Sequence, residues 1–199
     1  MRYEACIFPI DLGETLPPID ISHAAKIEGW MEEMELIWLG KVSQRRHRIV
    51  EVGSFMGRST RIIGENTPGF VLAIDDFEGS RESYISAAWV EWGEKIRPEI
   101  YSKFLENCDD LIQARKVIPM RCRHDQIEID FQPDMVFIDG DHEYENVKRD
   151  LEFWKSKLAP GGLLCGHDIN IEGVKRAVTE IIGEHHNVSD TCIWIESNV

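Results

Sequence analysis

The sequence of 199 residues lacks several features that define whole classes of protein. It has no run of 18 apolar residues, so no segment is predicted to span a membrane. Its start, MRYEACIFPIDLGE, does not have the charged-then-apolar layout of a signal peptide. None of its five cysteines forms a CxxC pair, which excludes a zinc knuckle and a thioredoxin motif, and their scatter indicates a reduced, cytoplasmic protein.

Positive charge is also scarce. The chain has 22 Lys and Arg against 36 Asp and Glu, a formal net charge of −14. Such a surface repels phosphate backbones, so nucleic acid is not an expected partner. A small molecule is the partner that we expect, and the sequence leaves the oligomeric state open, a homo-oligomer included.

Short apolar runs alternate with amphipathic stretches along the chain. In the first amphipathic stretch, residues 27–39, one apolar stripe that includes Trp30 has helical spacing, and we interpret it as core rather than as a ligand site. Strands are predicted within the segments 48–53, 70–75, 116–121, 133–139, 159–168 and 191–195. The alternation predicts a single α/β domain with a mostly parallel central sheet and helices on both faces.

The segment 77–98 interrupts this rhythm with an unusually long connection. It carries Tyr84, Trp89 and Trp92. A connection of this length between regular elements is commonly functional. It is either a helical cover over the core or a lid over a substrate.

The stretch RIVEVGSFMGRSTRIIGE, residues 48–65, places a strand, a glycine turn and a helix start in direct succession. This arrangement is the usual cradle of a nucleotide-like ligand. The turn does not fit a dinucleotide, because Phe55 stands where GxGxxG needs a glycine, and no lysine follows as in a P-loop. Asp75, at the end of the next strand, can accept both hydroxyls of a ribose, and Glu51 adds negative charge. The pattern therefore favours a cationic ligand without phosphate, S-adenosylmethionine.

Four blocks of the sequence resemble class I S-adenosylmethionine-dependent methyltransferases. They are VEVGSFMGRST, AIDDFEGS, DMVFIDGDHEYENVKRDLEFW and LAPGGLLCGHDIN followed by GVKRAV, and the resemblance covers residues 27–196. Within that class the chain resembles small-molecule O-methyltransferases with GRST and IDGDH motifs. The resemblance implies a three-layer Rossmann-like methyltransferase fold.

The resemblance also implies a donor site. Along the methionine and ribose of the donor it places Glu51, Gly53, Ser54, Phe55, Gly57, Ser59 and Thr60. It places Asp75 on the ribose, and Asp76 and Phe77 beside the adenine. The segment RCRHDQ departs from the family pattern, so the adenine contacts there stay unassigned.

Acids and imidazoles follow the fourth and fifth strands, in FIDGDHEY and CGHDIN. They share one rim with the donor site, and such side chains suit a divalent cation. The resemblance to catechol-type O-methyltransferases implies a metal site at Asp139, His167 and Asp168, where histidine replaces the usual acid and favours Mn, Fe or Zn over Mg. It also implies that His142 removes the acceptor's proton. Alternatively, Asp139 binds only the donor's ammonium group, Asp141 caps a helix and His167 is a hydrogen-bonded wall residue.

The sequence therefore predicts a methyltransferase that acts on a hydroxyl group of a small molecule, such as a sugar or a natural-product intermediate. We expect the insertion 77–98 and the N-terminal arm and helix, residues 1–45, to cover this acceptor. Two alternatives stay open. One is a non-catalytic relative that binds the donor, and the other is a nucleotide-binding or dinucleotide-binding protein of the same fold, which the missing middle glycine disfavours.

Overall fold

The computed structural model describes residues 16–79, 87–123 and 127–197, and a seven-stranded sheet forms the centre of this part of the chain. The strands are β1 (Arg48–Val52), β2 (Phe70–Asp75), β3 (Val117–Arg121), β4 (Met135–Ile138), β5 (Leu163–Gly166), β6 (His185–Asn187) and β7 (Trp194–Glu196). Their order is β3-β2-β1-β4-β5-β7-β6. The first five are parallel, and β7 pairs antiparallel with both β5 and β6.

The parallel strands are buried on both faces, which explains their continuous apolar runs. In β1, every residue after Arg48 is buried. Ile49 lies opposite Val71 of β2 and Met135 of β4, and this register brings the carboxyl ends of the strands to one edge of the sheet. The predicted mostly parallel α/β fold is confirmed.

Helices cover the two faces of the sheet. They are a 3₁₀ turn (Ala24–Lys26), α1 (Glu33–Ser43), α2 (Arg58–Asn66), α3 (Ala87–Asn107), α4 (Asp109–Gln113), α5 (Tyr144–Lys157) and α6 (Glu172–Ile181). Leu39 of α1, Ile62 of α2 and Phe104 of α3 belong to the core on one face. Trp154 of α5 and Val178 of α6 belong to the core on the other. None of the helices within the described ranges is long and apolar enough to cross a membrane.

The first helix begins later than its apolar stripe predicts. Glu32 is its N-cap, and the Glu32 amide donates to Glu35 Oε2 at 2.8 Å, one half of a capping box. Trp30 therefore lies outside the helix and is 56% exposed. Its interpretation as a core residue is wrong, because the capping acids, not the apolar spacing, determine where the helix begins.

Two further elements differ from the sequence prediction. α3 begins within the segment 77–98 and runs through Pro98, whereas the sequence analysis treats that segment as a connection between regular elements. The edge strand β6, which holds His185 and His186, lies outside the six segments in which strands are predicted. A short polar strand at a sheet edge has no apolar alternation, so the pattern that reveals buried strands does not reveal it.

Candidate active site

A cavity of about 680 Å³ opens at the carboxyl ends of the parallel strands. This volume is typical of small-molecule sites. The strand order reverses between β1 and β4, the place where open α/β sheets bind ligands. The wall is built from the turn after β1, the ends of β2, β4 and β5, part of α3 and the segment that precedes α1.

Glycines shape the turn after β1. Gly53 has a φ of 90°, and a Cβ placed there would lie 2.2 Å from the backbone oxygen of Asp139. Gly57 has a φ of 92° and is the N-cap of α2, with Cys108 Sγ 2.8 Å from the position of its missing Cβ. Any side chain at Gly53 would displace the backbone after β4, so the glycine allows the turn to touch the end of that strand.

Glu51 lies behind the turn, not on the cavity wall, and is fully buried. Its Oε2 accepts hydrogen bonds from Ser54 Oγ at 2.7 Å and from Thr60 Oγ1. Burial raises the pKa of Glu51 from 4.5 to about 7, although the hydroxyls of Ser59, Thr60 and Ser54 oppose this shift. The Glu51 carboxyl group thus links the glycine turn after β1 to the start of helix α2 from behind the cavity wall.

Asp75 ends β2 and points into the cavity. Its two oxygens accept the backbone amides of Phe55 at 2.8 Å and Phe77 at 2.6 Å. Burial raises the pKa of Asp75, and these amides oppose the shift. A carboxylate offers about four lone-pair sites, so Asp75 keeps acceptor capacity for a ligand diol.

The predicted donor-binding residues divide into two groups. Those that line the cavity are Gly53, Ser54, Phe55, Ser59, Asp75, Asp76 and Asp139. Those that lie behind its wall are Glu51, Gly57, Thr60 and Phe77. Phe77 belongs to the core, where its ring centroid is 4.7 Å from that of Tyr101. The second group supports the shape of the turn.

His167 joins the rim of the cavity to α1. Its Nδ1 lies 3.5 Å from Asp139 Oδ1 and 3.3 Å from Asp168 Oδ2, and its Nε2 lies 2.9 Å from Glu35 Oε1. Burial lowers the pKa of His167, but the surrounding carboxylates, Asp139 foremost, raise it well above its usual range. Glu35 was not singled out from the sequence, although an acid within the apolar stripe of a helix is a signal of a buried polar contact.

His142 stands on the same rim. Its Nε2 lies 2.7 Å from Asp168 Oδ2. Burial raises the pKa of Asp168, but its contacts with His142 and His167 hold that pKa below its usual range. Asp141 accepts the Glu143 amide at 2.7 Å, but Glu143 is the N-cap of α5 and no side chain caps that helix, so the interpretation of Asp141 as the cap is wrong.

The rim has the donor atoms of a divalent cation site. Among the described residues, Asp139, His142 and Asp168 each offer one ligand atom within 4.8 Å of the others. His167 Nδ1 faces the same two carboxylates, while Glu35 contacts its other nitrogen. A carboxylate that holds a ligating histidine in this way is the common outer partner of a metal site. Asp139, His142 and Asp168 therefore form a group that could hold a cation.

Three aromatic rings form the opposite wall. The ring centroid of Trp30 lies 5.1 Å from that of Phe55 and 5.7 Å from that of Trp92. Phe55 has a φ of 45°, so the turn itself directs this ring. Tyr84 and the side chain of Trp89, also predicted in the lid, lie outside the described residues.

A family match joins these observations. The sequence pattern of a methyltransferase domain family matches residues 50–169, more than half of the chain, from the glycine turn to the rim acids. The chain belongs to this methyltransferase family. No curated protein sequence matches the methyltransferase significantly.

Solved structures share the fold of this methyltransferase at low identity. An O-methyltransferase of Bacillus cereus in complex with S-adenosylhomocysteine has a TM-score of 0.58 at 16% identity, covering 87% of this chain and 86% of its own. The O-methyltransferase TomG of Streptomyces achromogenes, in complex with S-adenosylmethionine, has a TM-score of 0.59 at 13% identity. The match covers 85% of this chain and 82% of TomG. A precorrin-6y C5,15-methyltransferase of Geobacter metallireducens has a TM-score of 0.58 at 14% identity. The match covers 83% of this chain and 87% of that protein. These structures confirm the predicted Rossmann-like fold, and the family match confirms the predicted methyltransferase.

Proposed function

We propose that this methyltransferase transfers the methyl group of S-adenosylmethionine to a hydroxyl oxygen of a small molecule, with a divalent cation on the rim. One observation carries the proposal. The glycine turn with Asp75 and the rim with Asp139, His142 and Asp168 line one cavity. A donor on the turn therefore shares its cavity with a proton acceptor.

The donor binds along the turn after β1. Asp75 accepts the ribose hydroxyls with its remaining lone pairs, and Ser59 at the start of α2 lies where a helix N-terminus attracts the donor's carboxylate. Asp139 lines the cavity, and its backbone touches that of Gly53, so we assign the donor's ammonium group to its carboxylate. The wall around the sulfonium is acidic, which suits a cation.

His142 accepts the acceptor's proton. Transfer forms a carbon–oxygen bond and breaks the carbon–sulfur bond, the sulfonium becomes a neutral thioether, and the hydroxyl proton must leave. The hydrogen bond to Asp168 orients the imidazole and stabilises its protonated form. Positioning of the hydroxyl in line with the methyl group supplies the rest of the rate enhancement.

Asp139, Asp168 and His167 hold the cation in this proposal, and His142 stays available as the base. A cation held there would lower the pKa of the acceptor hydroxyl and help to orient it. Glu35 contacts the far nitrogen of His167 at 2.9 Å and fixes its ring. Two carboxylates and an imidazole favour Mn, Fe or Zn.

The aromatic wall supports an acceptor with a ring. Trp30, Phe55 and Trp92 place their rings within 6.3 Å of one another on the cavity side. Aromatic side chains contribute large apolar contact area and favour stacked or edge-on partners. A sugar ring or the ring of a natural-product intermediate presents such a face.

Calorimetric titration of S-adenosylhomocysteine tests the donor site. We expect binding to the wild type, and binding about 10- to 100-fold weaker to Asp75→Asn, because a hydrogen bond to a charged group contributes about 1.5–3 kcal/mol. Asp109→Asn, an exposed acid at the start of α4, is the matched control and should bind like the wild type. The absence of binding at millimolar ligand, or retention of NAD by the purified protein, would reject the proposal.

A further inference from the structure

Residues 24–31, here called the strap, precede α1, and residues 28–31 line the cavity. Ala24, Ile27 and Met31 are buried in the core, whereas Trp30 is 56% exposed and lines the cavity. The strap thus carries one ring of the aromatic wall on a short segment with few backbone hydrogen bonds of its own. Its position determines where Trp30 meets an acceptor.

Arg58 holds the strap at both ends. Its Nε donates to the carbonyl of Met31 at 2.9 Å. Its Nη1 donates to the carbonyl of Ile27 at 2.7 Å and to that of Ala25 at 3.1 Å, with the Ala24 carbonyl at 3.4 Å. Between these points, a Cβ on Gly29 would lie 2.9 Å from Arg58 Cδ, so the strap backbone rests on the arginine stem.

The position of Arg58 in its own helix is unfavourable for a cation. It is the first residue of α2, whose N-terminus has no acid in its first turn and carries the positive end of the helix dipole. The strap carbonyls compensate, since those after the 3₁₀ turn have no helical partner. A guanidinium can reach several carbonyls at once through its planar fork, which a lysine cannot.

Arg58 also belongs to the donor turn. It stands between Gly57, the N-cap of α2, and Ser59, and both Arg58 and Ser59 line the cavity. Any ligand that orders this turn therefore orders the residue that holds the strap. The segment after the strap reaches the other half of the site, because Glu35 of α1 contacts His167 at 2.9 Å.

We propose that Arg58 is a positioning residue that couples donor binding to the acceptor side of the cavity through the strap. The inference rests on the proposed function, because it takes the turn after β1 as the donor site. Occupancy of the turn stabilises the strap and hence Trp30, and by linkage the ordered strap strengthens donor binding by the same factor. The acceptor then binds against an aromatic wall that donor binding has already ordered.

Hydrogen exchange of the strap amides measures this coupling. The amides of Ala25, Lys26 and Ile27 are held by Ile21, His23 and Ala24 carbonyls at 2.8, 3.1 and 3.0 Å. In the wild type we expect S-adenosylhomocysteine to slow their exchange. In Arg58→Met we expect exchange about tenfold faster without ligand, since hydrogen bonds to a charged group are lost, and no further slowing when the ligand is added.

Two other variants make the test specific. Arg58→Lys keeps the charge but not the fork, so we expect partial rescue of the slowing by ligand. Arg149→Met removes an exposed arginine of α5 and should exchange and bind like the wild type. A purely structural role of Arg58 would raise exchange but leave the response to ligand unchanged.

The outcomes separate the inference from the proposed function. If the wild type binds S-adenosylhomocysteine but exchange at residues 25–27 responds equally in wild type and Arg58→Met, the coupling is wrong and the donor site stands. If the wild type does not bind the ligand, the donor site itself falls, and the coupling with it. The coupling is supported if the affinity of Arg58→Met for the ligand is lower than that of the wild type by the same factor by which the ligand slows exchange in the wild type but not in the variant.

Discussion

Replacement of Glu51 by glutamine removes the one buried acid behind the donor turn. The side chain is fully buried, and its Oε2 accepts two hydroxyl hydrogen bonds from Ser54 and Thr60. Glutamine has nearly the same shape, and its carbonyl oxygen can accept the same bonds. The substitution removes the titrating group, and it also buries an amide NH2 where Glu51 Oε1 has no hydrogen-bond partner among the described residues. That second cost does not depend on pH, so the pH dependence of the difference reports on the charge alone.

The size of the effect follows from the pKa of Glu51, which burial raises from 4.5 to about 7. Between pH 4.5 and about pH 7, Glu51 of the folded protein keeps a proton that the unfolded chain has already released. The free energy of unfolding therefore falls as the pH rises through this window. One pKa unit corresponds to about 1.4 kcal/mol. From pH 5 to pH 8 the titration of Glu51 should lower the free energy of unfolding of the wild type by about 2 to 3 kcal/mol, and Glu51→Gln should not show this decrease.

Urea unfolding of both proteins at pH 5, 6, 7 and 8 measures this difference. We compare the free energy of unfolding of the variant with that of the wild type at each pH, because other groups titrate equally in both proteins. The free energy of unfolding of Glu51→Gln minus that of the wild type should increase by about 2–3 kcal/mol from pH 5 to pH 8. A difference that does not change with pH, or that grows toward acid, would refute the buried, protonated Glu51.

Three other changes test the site. Gly53→Ala should lower the free energy of unfolding by about 2–5 kcal/mol in urea, because its Cβ meets the Asp139 backbone at 2.2 Å; Gly161→Ala, at a φ of 71° in open space, should lose only about 1–2 kcal/mol, and equal losses would contradict the contact. His142→Gln should lower the formation of S-adenosylhomocysteine from the donor with ring alcohols by about 100-fold or more, with unchanged binding of that product in calorimetry, and unchanged turnover would exclude His142 as the base. Glu35→Gln should weaken Mn²⁺ binding about 10- to 100-fold in a spectroscopic titration of the free ion, and an unaltered affinity would exclude its contact with His167 from the metal site.

Most of the fold could be predicted because it depends on local patterns. A few neighbouring residues are enough to predict each of several elements. These are the apolar runs at β1 and β4, the glycines of the turn after β1 and the amphipathic stretch of α5. The carboxyl ends of parallel strands meet at one edge, so Asp75 and Asp139 could be assigned to one site before any coordinates. This part of the reasoning needs no knowledge of side-chain packing.

The rest of the site depends on contacts between distant segments. Trp30 was interpreted as core because its spacing fits a helix, and only the capping acids exclude it from α1. Glu35 and His167 are 2.9 Å apart although 132 positions separate them in the chain, and nothing local marks the pair. Arg58 has the same character, because its partners are carbonyls, which every residue has.

The contact between the Gly53 turn and the backbone after β4 has a consequence for how this protein is modified. The floor of the cavity is a single rigid block, since that contact leaves no room for a side chain. Trp30 and Trp92, by contrast, come from segments that precede β1 and follow β2. An engineer who seeks a new acceptor can therefore vary the side chains at Trp30 and Trp92, and keep both the block that carries the methyl donor and the strap backbone that Arg58 holds.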